Sequence, residues 1–335
     1  LVSGGRVCVS GGGAQSPLHT ASPCAATHPP TPIVVMAAKA GWRWQWQRLM
    51  GGLGPADAEG SYCRPKSDHL EAEGPNALDL QSRPHDQRPH LIVGRSCPWA
   101  HRTWLVHQLR GLDQSLNLIT AHADHKAGRW QLDPPWLGCS SLLALYQRCG
   151  APPSHRATVP VLIDPSYPKI LGNESAQLVE VLNRWPTHEE APDLAPPELR
   201  NSISRWQELL QPNVNDGVYR CGFARNQAAY NRAEAALFAA LDQVETSLSQ
   251  SGPWLCGEQI TLADVRLFPT LIRWEMVYAP LFNGIENQYL LLQNGMKSIL
   301  IEDLVLCNFN SEIILLQFDV LFDFVLHYLK IGSVI

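Results

Sequence analysis

Residues 95–103 read RSCPWAHRT, and this stretch decides the fold because it joins a predicted strand to a predicted helix. The apolar run at residues 90–94 has the length of one strand, and leucines with helical spacing follow the stretch. Pro98 suits the first position of that helix, because a backbone N–H there has no intrahelical partner. The sequence therefore places Cys97 where a strand gives way to a helix.

The surroundings of Cys97 indicate a reactive thiol. A helix start offers unpaired backbone N–H groups and the positive end of the helix dipole, and both stabilise a thiolate. No acidic residue lies between Gln87 and Leu112. We therefore interpret Cys97 as a nucleophile with a lowered pKa, rather than as a buried structural cysteine, the alternative for an isolated cysteine. The basic residues of this interval include Arg88, Arg95, His101, Arg102 and Arg110.

Composition argues against several classes of protein. The formal net charge is −5, and the basic residues do not gather into the stripe that is typical of nucleic-acid binding. The nine cysteines are scattered and form no C-x-x-C pair, which argues against a disulfide framework or a zinc site and favours a reducing compartment. His122 and His125 lack further ligands at a suitable spacing, so we interpret them as solvated loop histidines and expect no bound metal.

The chain begins with a leader-like segment. Residues 1–56 contain no Asp or Glu and are rich in small and turn-forming residues, so we expect them to be disordered. They match either an organelle transit peptide or untranslated frame ahead of a start at Met36. We therefore expect a cytoplasmic protein, or a plastid or mitochondrial one if the segment is a transit peptide. Trp42, Trp44 and Trp46 alternate with polar residues, and we expect them to pack.

Residues 57–186 follow the element order of a thioredoxin-like α/β unit with a mixed sheet. A polar lead-in precedes the Cys97 turn, and residues 116–121 predict a second strand after the first helix. We interpret residues 124–156 as an insertion with at most one helix, at residues 142–148. Two strands, at residues 158–164 and 169–172, and a helix that opens at Glu174 and Ser175 complete the unit.

Three of these predicted elements meet at one cleft. In open sheets of this kind ligands lie beyond the strand ends, at helix N-termini. We therefore expect Cys97, Val159 and the helix start at Glu174 and Ser175 to converge. Pro160 is a candidate for a cis peptide bond, which proteins retain where a turn needs it.

Beyond a proline-dotted linker, residues 197–282 predict helices throughout. One helix is indicated over residues 199–210 and a long one over residues 230–248. Thr261, followed three residues later by Asp264, predicts a capping box at the start of a third helix. The predicted fold class is an α/β thioredoxin-like N-terminal domain followed by an all-α C-terminal domain.

Five short motifs resemble those of one family, the glutathionyl-hydroquinone reductases, which form the Xi class of glutathione transferases. The resemblance runs from about residue 60 to residue 282 and implies that the helical part is an all-α glutathione-transferase C-terminal domain. Omega-class transferases share only its first part loosely. The motifs are GSYCRP at 60–65, CPWAHRT at 97–103, NES at 173–175, NVNDGVY at 213–219 and LADVRLF at 262–268.

The resemblance implies a reductase that removes glutathione from glutathionyl-hydroquinones through a mixed disulfide on Cys97. Glutathione would be the co-substrate, and Tyr219 would donate a hydrogen bond to a quinol oxygen. Two alternatives stay open: an omega-like thioltransferase or dehydroascorbate reductase, and a catalytically weak glutathione-binding protein. By similarity, the residues that hold glutathione are Trp130, Val159 through its backbone, and Glu174 and Ser175 at the γ-glutamyl end.

The composition changes abruptly after Phe282. Residues 283–335 contain no Ala, Arg, Pro or Trp, and we interpret them as a divergent apolar tail. The helical domain at residues 197–282 is then shorter than that of the family. The tail shows no match for the second active-site tyrosine that the family carries near its C-terminal end. Polar residues interrupt residues 313–335, so we expect a buried or poorly ordered helix there rather than a membrane anchor. As partners we expect the small-molecule substrates and a second copy of the chain, in a homodimer.

Overall fold

A computed structural model of the 335-residue chain describes residues 54–67, 80, 82–124, 129–274 and 278. No helix within these ranges is both long enough and apolar enough to cross a membrane. Several predictions lie outside the described residues: those for the leader up to residue 53, for the three tryptophans at 42–46, for His125 and for the tail after Phe282.

Six strands form one mixed sheet: β1 (His90–Gly94), β2 (Asn117–Asp124), β3 (Arg129–Trp136), β4 (Cys139–Ser141), β5 (Val161–Asp164) and β6 (Lys169–Gly172). Their order across the sheet is β4-β3-β2-β1-β5-β6. The central strand β1 pairs in parallel with β2 and antiparallel with β5. All five residues of β1 are buried, as an apolar run in the middle of a covered sheet should be.

Three helices accompany the strands of this sheet along the chain: α1 (Pro98–Leu109) follows β1, α2 (Leu142–Arg148) follows β4 and α3 (Ser175–Asn183) follows β6. The predicted strand-to-helix turn is confirmed, because Cys97 is the N-cap residue of α1 and Pro98 is its first residue. Helix α3 packs against α1 and buries Leu178 and Leu182. The N-cap residues of α1 and α3, Cys97 and Glu174, line one cleft.

The interpretation of residues 124–156 as an insertion is wrong, although the single helix expected at residues 142–148 is confirmed. Helix α2 lies where it was expected, but β3 and β4 also lie in this stretch and extend the sheet antiparallel beyond β2. Prolines 134 and 135 argued against a strand because proline donates no ladder hydrogen bond. The pairing of β3 with β4 is irregular between Gln131 and Trp136, so both prolines lie where the regular ladder is interrupted.

The connection into β5 carries the expected proline geometry. The peptide bond between Val159 and Pro160 is cis, which confirms the candidate from the sequence. Val159 is buried and lies two residues before Val161, the first residue of β5. Its backbone carbonyl oxygen accepts a hydrogen bond from Cys97, the N-cap residue of α1.

The second half of the described chain is helical, with α4 (Arg200–Leu210), α5 (Gly217–Gly222), α6 (Gln227–Ser251) and α7 (Leu262–Leu271). The helices predicted over residues 199–210 and 230–248 and the one starting at Thr261 are confirmed. A π-helical turn at Gln211–Asn215 and the short helix α5 were not predicted. Both are too short for a periodic apolar pattern, which is the signal that reveals a helix in a sequence.

The capping box at the start of α7 is confirmed. Asp264 is fully buried, and its carboxylate accepts hydrogen bonds from the backbone N–H groups of Thr261 and Leu255, each at 2.9 Å. Burial raises the pKa of Asp264 to about 6, although these hydrogen bonds act in the opposite direction. The box fixes the start of α7, the helix that packs against α1.

Candidate active site

Cys97 lies at the convergence of α1 and the turn before β5. Its backbone N–H donates to the Gly94 carbonyl at 3.0 Å, so the end of β1 and the start of α1 are joined by a tight turn. The Cys97 thiol donates to the backbone carbonyl oxygen of Val159 with an Sγ to O distance of 3.5 Å. The expected meeting of Cys97 and Val159 is therefore present, and the thiol has a defined acceptor.

The expectation that the pKa of Cys97 is lowered is wrong for this structure. Burial raises the pKa of the thiol above its ordinary value, because a desolvated thiolate is disfavoured. The N–H groups of Trp99 and Ala100 act in the opposite direction, as predicted for a helix start, but they do not outweigh burial. The sequence revealed the helix start but not how closely later segments of the chain cover the sulfur.

Two cations that favour the thiolate come from outside the basic stretch around Cys97. They are Arg273 and Arg64, both of which oppose the effect of burial on the Cys97 pKa. His101, which was counted as a cation, has a pKa well below its ordinary value because it is buried, so its imidazole is neutral at pH 7. Arg110, which was also counted among the cations near Cys97, donates hydrogen bonds to the backbone carbonyls of Leu182 and Trp185.

Arg273 is held rigidly beside the site. The residue is 3% exposed, and its guanidinium donates to the carbonyl oxygens of Pro269 at 2.9 Å and Arg95 at 3.2 Å. It also hydrogen-bonds to His101 Nδ1 at 3.0 Å. Sequence reasoning missed Arg273, which lies 176 positions after Cys97 and two residues after the end of α7; no local motif marks it.

A cleft of about 560 Å³ opens at Cys97 and contains every residue that the resemblance assigned to glutathione. Trp130 reaches it from β3 and lies against Gly94, where a Cβ atom would come within 2.4 Å of the indole. The glycine at position 94 thus makes room for the tryptophan at the end of β1. Cys97, Trp130, Val159, Glu174 and Ser175 all line this cleft.

The start of α3 forms the polar end of the cleft. Glu174 is the N-cap of α3, and its carboxylate accepts a hydrogen bond from the Ala176 N–H at 3.2 Å. The Ser175 hydroxyl donates to the same carboxylate at 3.4 Å. A carboxylate, a hydroxyl and a helix N-terminus together offer an acceptor for an ammonium group and donors for a carboxylate, the two charged groups of an amino acid.

Arg64 connects this polar end with the helical half. Its guanidinium lies 3.7 Å from Glu174 Oε1 and 3.2 Å from Asp216 Oδ1, and it covers the Trp99 ring at 3.6 Å from the centroid. Arg102 also approaches the Trp99 ring, at 4.7 Å. Two guanidinium groups therefore hold the indole beside Cys97, an arrangement that cation–π attraction stabilises.

Tyr219, the predicted quinol-binding residue, lies next to the cleft on α5. Its ring stacks on Trp99 with a centroid distance of 5.8 Å. Burial raises the pKa of Tyr219 well above its ordinary value, so the phenol is protonated and can donate a hydrogen bond near neutral pH. The structure thus brings Tyr219 together with the other predicted site residues.

A second tyrosine, Tyr278, was missed. Its ring lies 6.2 Å from that of Tyr219, edge to face, and the two hydroxyls share a hydrogen bond. The Tyr278 side chain is 5% exposed. No motif marked this residue, because it lies close to the point where the sequence changes composition. The two phenols and Arg273 form the inner end of the site.

Two family models match the chain: that of the glutathione S-transferase N-terminal domain over residues 96–185, and that of the C-terminal domain over residues 227–293. The first match contains strands β2 to β6 and helices α1 to α3. The fold and the cleft thus define a glutathione transferase.

Individual relatives narrow the class. Glutathionyl-hydroquinone reductase PcpF from Sphingobium chlorophenolicum is 34% identical over 217 residues, which are 62% of this chain and 69% of that protein. Glutathione S-transferase omega-like 2 from Schizosaccharomyces pombe is 34% identical over 241 residues, which are 67% of this chain and 75% of that protein. The crystal structure of the glutathione transferase Xi from Phanerochaete chrysosporium superimposes with a TM-score of 0.66 and 30% identity, covering 76% of this chain and 87% of that one. The chain belongs to the Xi class of glutathione transferases and is a glutathione-dependent oxidoreductase.

Proposed function

We propose that the protein removes glutathione reductively from glutathionyl-hydroquinones. The observation that carries this proposal is the position of Cys97, whose sulfur lies between two unlike surroundings. On one side is the polar start of α3 at Glu174 and Ser175, and on the other are the stacked rings of Trp99 and Tyr219. A molecule with a peptide on one side of a sulfur and an aromatic ring on the other matches that arrangement.

Glutathione binds along the cleft in this proposal. The γ-glutamyl ammonium pairs with Glu174, while Ser175 and the N-terminus of α3 receive the α-carboxylate. The backbone of Val159 pairs with the cysteinyl part of the tripeptide, and the indole of Trp130 covers it. This pose places the glutathionyl sulfur next to the sulfur of Cys97.

The reaction consists of two exchanges at sulfur. First, the Cys97 thiolate attacks the glutathionyl sulfur, the carbon–sulfur bond breaks, and its electron pair stays on the ring carbon, which takes up a proton to give hydroquinone. Then the thiolate of a second glutathione attacks the glutathionyl sulfur of the mixed disulfide, which releases Cys97 and forms oxidised glutathione. The ring gains two electrons, and the two glutathione sulfurs lose them.

Charged and polar groups beside Cys97 support these steps. Since burial raises the pKa of Cys97, the positive charge of Arg273 is needed to stabilise the thiolate that attacks. Tyr219, protonated because of its own burial, donates a hydrogen bond to a quinol oxygen while charge develops on the ring. Tyr278 holds the Tyr219 hydroxyl in place, because its own O–H donates to the Tyr219 oxygen when the Tyr219 O–H turns from Tyr278 to the quinol.

An omega-like thioltransferase or dehydroascorbate reductase is the second candidate. The similarity to the omega-like relative from S. pombe favours it, and it needs Cys97 and the glutathione cleft but no aromatic subsite. The two candidates therefore differ in whether Trp99 and Tyr219 serve the substrate or only the packing.

Comparing three substrates tests the proposal. The purified protein is assayed with glutathionyl-menadiol, with dehydroascorbate and with the mixed disulfide of glutathione and 2-mercaptoethanol. We expect turnover of glutathionyl-menadiol with release of one oxidised glutathione per menadiol. Turnover of dehydroascorbate alone would favour the omega-like function. Glutathione binding without turnover of any of the three would make the protein a binding protein.

A further inference from the structure

We propose that Tyr62, from the segment that precedes the sheet, is a specificity-determining residue that selects aromatic over aliphatic groups on the glutathionyl sulfur. The inference deepens the proposed function and rests on it for the position of glutathione. Tyr62 belongs to the motif at residues 60–65, for which the resemblance gives no residue a role, and the N-terminal family model begins only at residue 96.

Tyr62 belongs to a continuous aromatic surface next to the catalytic cysteine, which we call the aromatic wall (Tyr62, Trp99, Tyr219 and Phe223). The Tyr62 ring lies 5.3 Å from that of Phe223 and 6.4 Å from that of Tyr219. Tyr219 in turn stacks on Trp99 at 5.8 Å and on Phe223 at 6.2 Å. These centroid distances are those of favourable aromatic pairs.

Two rings of the aromatic wall, Tyr62 and Trp99, line the cleft at Cys97, and Tyr219 and Phe223 support them from behind. Tyr62 and Trp99 line the same 560 Å³ cavity as Cys97, Glu174 and Ser175. Tyr62 is half-buried, so part of its ring remains available to a ligand in that cavity. A group attached to a glutathionyl sulfur at Cys97 therefore has the rings of Tyr62 and Trp99 within its cavity, with the Arg64 guanidinium on the Trp99 ring between them and the polar end.

Tyr62 is held in place before any ligand arrives. It lies in residues 54–67, here called the N-terminal strap, which folds back on itself through the Cys63 N–H to Pro55 carbonyl hydrogen bond of 2.8 Å. Gly60, with a φ of 82°, makes the turn, and its carbonyl accepts from the Arg225 N–H at 2.9 Å. The Arg225 guanidinium donates to the strap again, at the Gly54 carbonyl, at 3.0 Å.

Arg64 fixes the other end of the strap across the site. It contacts Glu174, Asp216 and the ring of Trp99, as described above. Tyr62 is therefore located between two anchored positions, Gly60 and Arg64, and its ring needs little ordering when a ligand binds. Preorganised aromatic side chains bind flat rings well, because they bury a large area for a small loss of freedom.

Binding of two glutathione thioethers tests the inference without turnover. S-benzylglutathione and S-methylglutathione share the tripeptide and differ in the aromatic ring, so the ratio of their dissociation constants measures the contribution of the aromatic wall. Calorimetry with wild-type protein should show tighter binding of the benzyl compound. We expect Tyr62→Ala to reduce this preference about three- to tenfold, the range of a lost aromatic contact.

Three further variants make the result specific. Tyr62→Phe keeps the ring and should keep the preference, whereas Tyr62→Leu keeps bulk without the ring and should lose it. The matched control is Tyr167→Ala, since Tyr167 is 74% exposed, and it should leave the preference unchanged. Tyr62→Leu also serves as the deciding variant if Tyr62→Ala does not fold.

The outcomes separate this inference from the proposed function. Equal affinities of wild-type protein for the two thioethers, or an unchanged preference in Tyr62→Ala and Tyr62→Leu, would overturn the role of Tyr62. A loss of the same size in Tyr167→Ala would do so too. If the protein does not turn over glutathionyl-menadiol, the proposed function fails, while a preference that depends on the Tyr62 ring would still establish the aromatic subsite.

Discussion

The thiol of Cys97 donates its hydrogen bond to the backbone carbonyl of Val159, the residue that is expected to hold the tripeptide of glutathione. The nucleophile and the peptide-binding backbone thus meet at one carbonyl oxygen. This bond stabilises the protonated thiol, and burial acts in the same direction. The reactivity of Cys97 therefore depends on its neighbours as much as on the helix start.

The first prediction concerns the ionisation of Cys97. Because burial raises its pKa, alkylation by iodoacetamide should increase with pH beyond the ordinary cysteine value of about 8.5 and level off above it. The measurement is the rate of modification of the Cys97 peptide, followed by mass spectrometry across pH. Levelling off below pH 7 would show that the helix start and the cations outweigh burial after all.

Arg273 is the subject of the second prediction. Its charge favours the Cys97 thiolate, so Arg273→Gln should raise the pKa of Cys97 further and slow alkylation at a fixed pH by up to about tenfold, the effect of one pKa unit. The control is Arg205→Gln, since Arg205 is exposed on α4.

Arg273 also supports the packing of α7 on α1, so stability has to be measured in parallel. A folded Arg273→Gln protein with an unchanged pH profile of alkylation would contradict the electrostatic role. A slower rate at one pH without a shifted profile would show that access to the sulfur has changed instead.

Asp264 gives a prediction for stability. Its pKa is about 6 in the folded protein, against about 3.9 for an unperturbed aspartate, so the folded state holds the proton more tightly. The free energy of unfolding should therefore decrease as pH rises from about 4 to about 6. In Asp264→Asn this contribution to the pH dependence disappears.

The same variant should unfold more easily at pH 7. The buried N–H groups of Thr261 and Leu255 lose a carboxylate acceptor, which costs about 1–3 kcal/mol. Urea unfolding at several pH values measures both effects. Asp86→Asn, at an exposed position, is the control, and a stability equal to wild type in Asp264→Asn would contradict the structural role of the capping box.

The fourth prediction separates binding from chemistry. Cys97→Ala should abolish turnover of every glutathionyl substrate and leave the affinity for glutathione largely intact, because the tripeptide is held by the α3 start, Val159 and Trp130. Steady-state kinetics and calorimetry test the two halves. Activity retained in this variant would remove Cys97 as the nucleophile.

Local signals predicted much of the fold. The apolar run of β1, Pro98 after Cys97 and the capping residues Thr261 and Asp264 each state a backbone preference within a few positions, and each of these elements is confirmed. Strands β3 and β4 were not predicted, because proline is rare in strands and β3 contains two. The pairing of β3 with β2 and β4 shows that this sheet accommodates both prolines.

The site was predictable where a motif marks it. The residues Glu174 and Ser175 predict one helix start, and Cys97 with Pro98 predicts another. The order of the elements then predicts that the two helix starts meet at one cleft. Arg273, Tyr278 and the raised pKa of Cys97 depend on which distant segments cover the sulfur, and a single sequence does not contain that information in local form.

The most direct test of the central claim is to find the covalent intermediate. Wild-type protein is mixed with glutathionyl-menadiol in the absence of free glutathione, quenched in acid, digested and analysed by mass spectrometry under non-reducing conditions. We predict a glutathione adduct on the Cys97 peptide together with one menadiol released per adduct. Release of menadiol with Cys97 unmodified, or an adduct confined to the exposed Cys63, would contradict it.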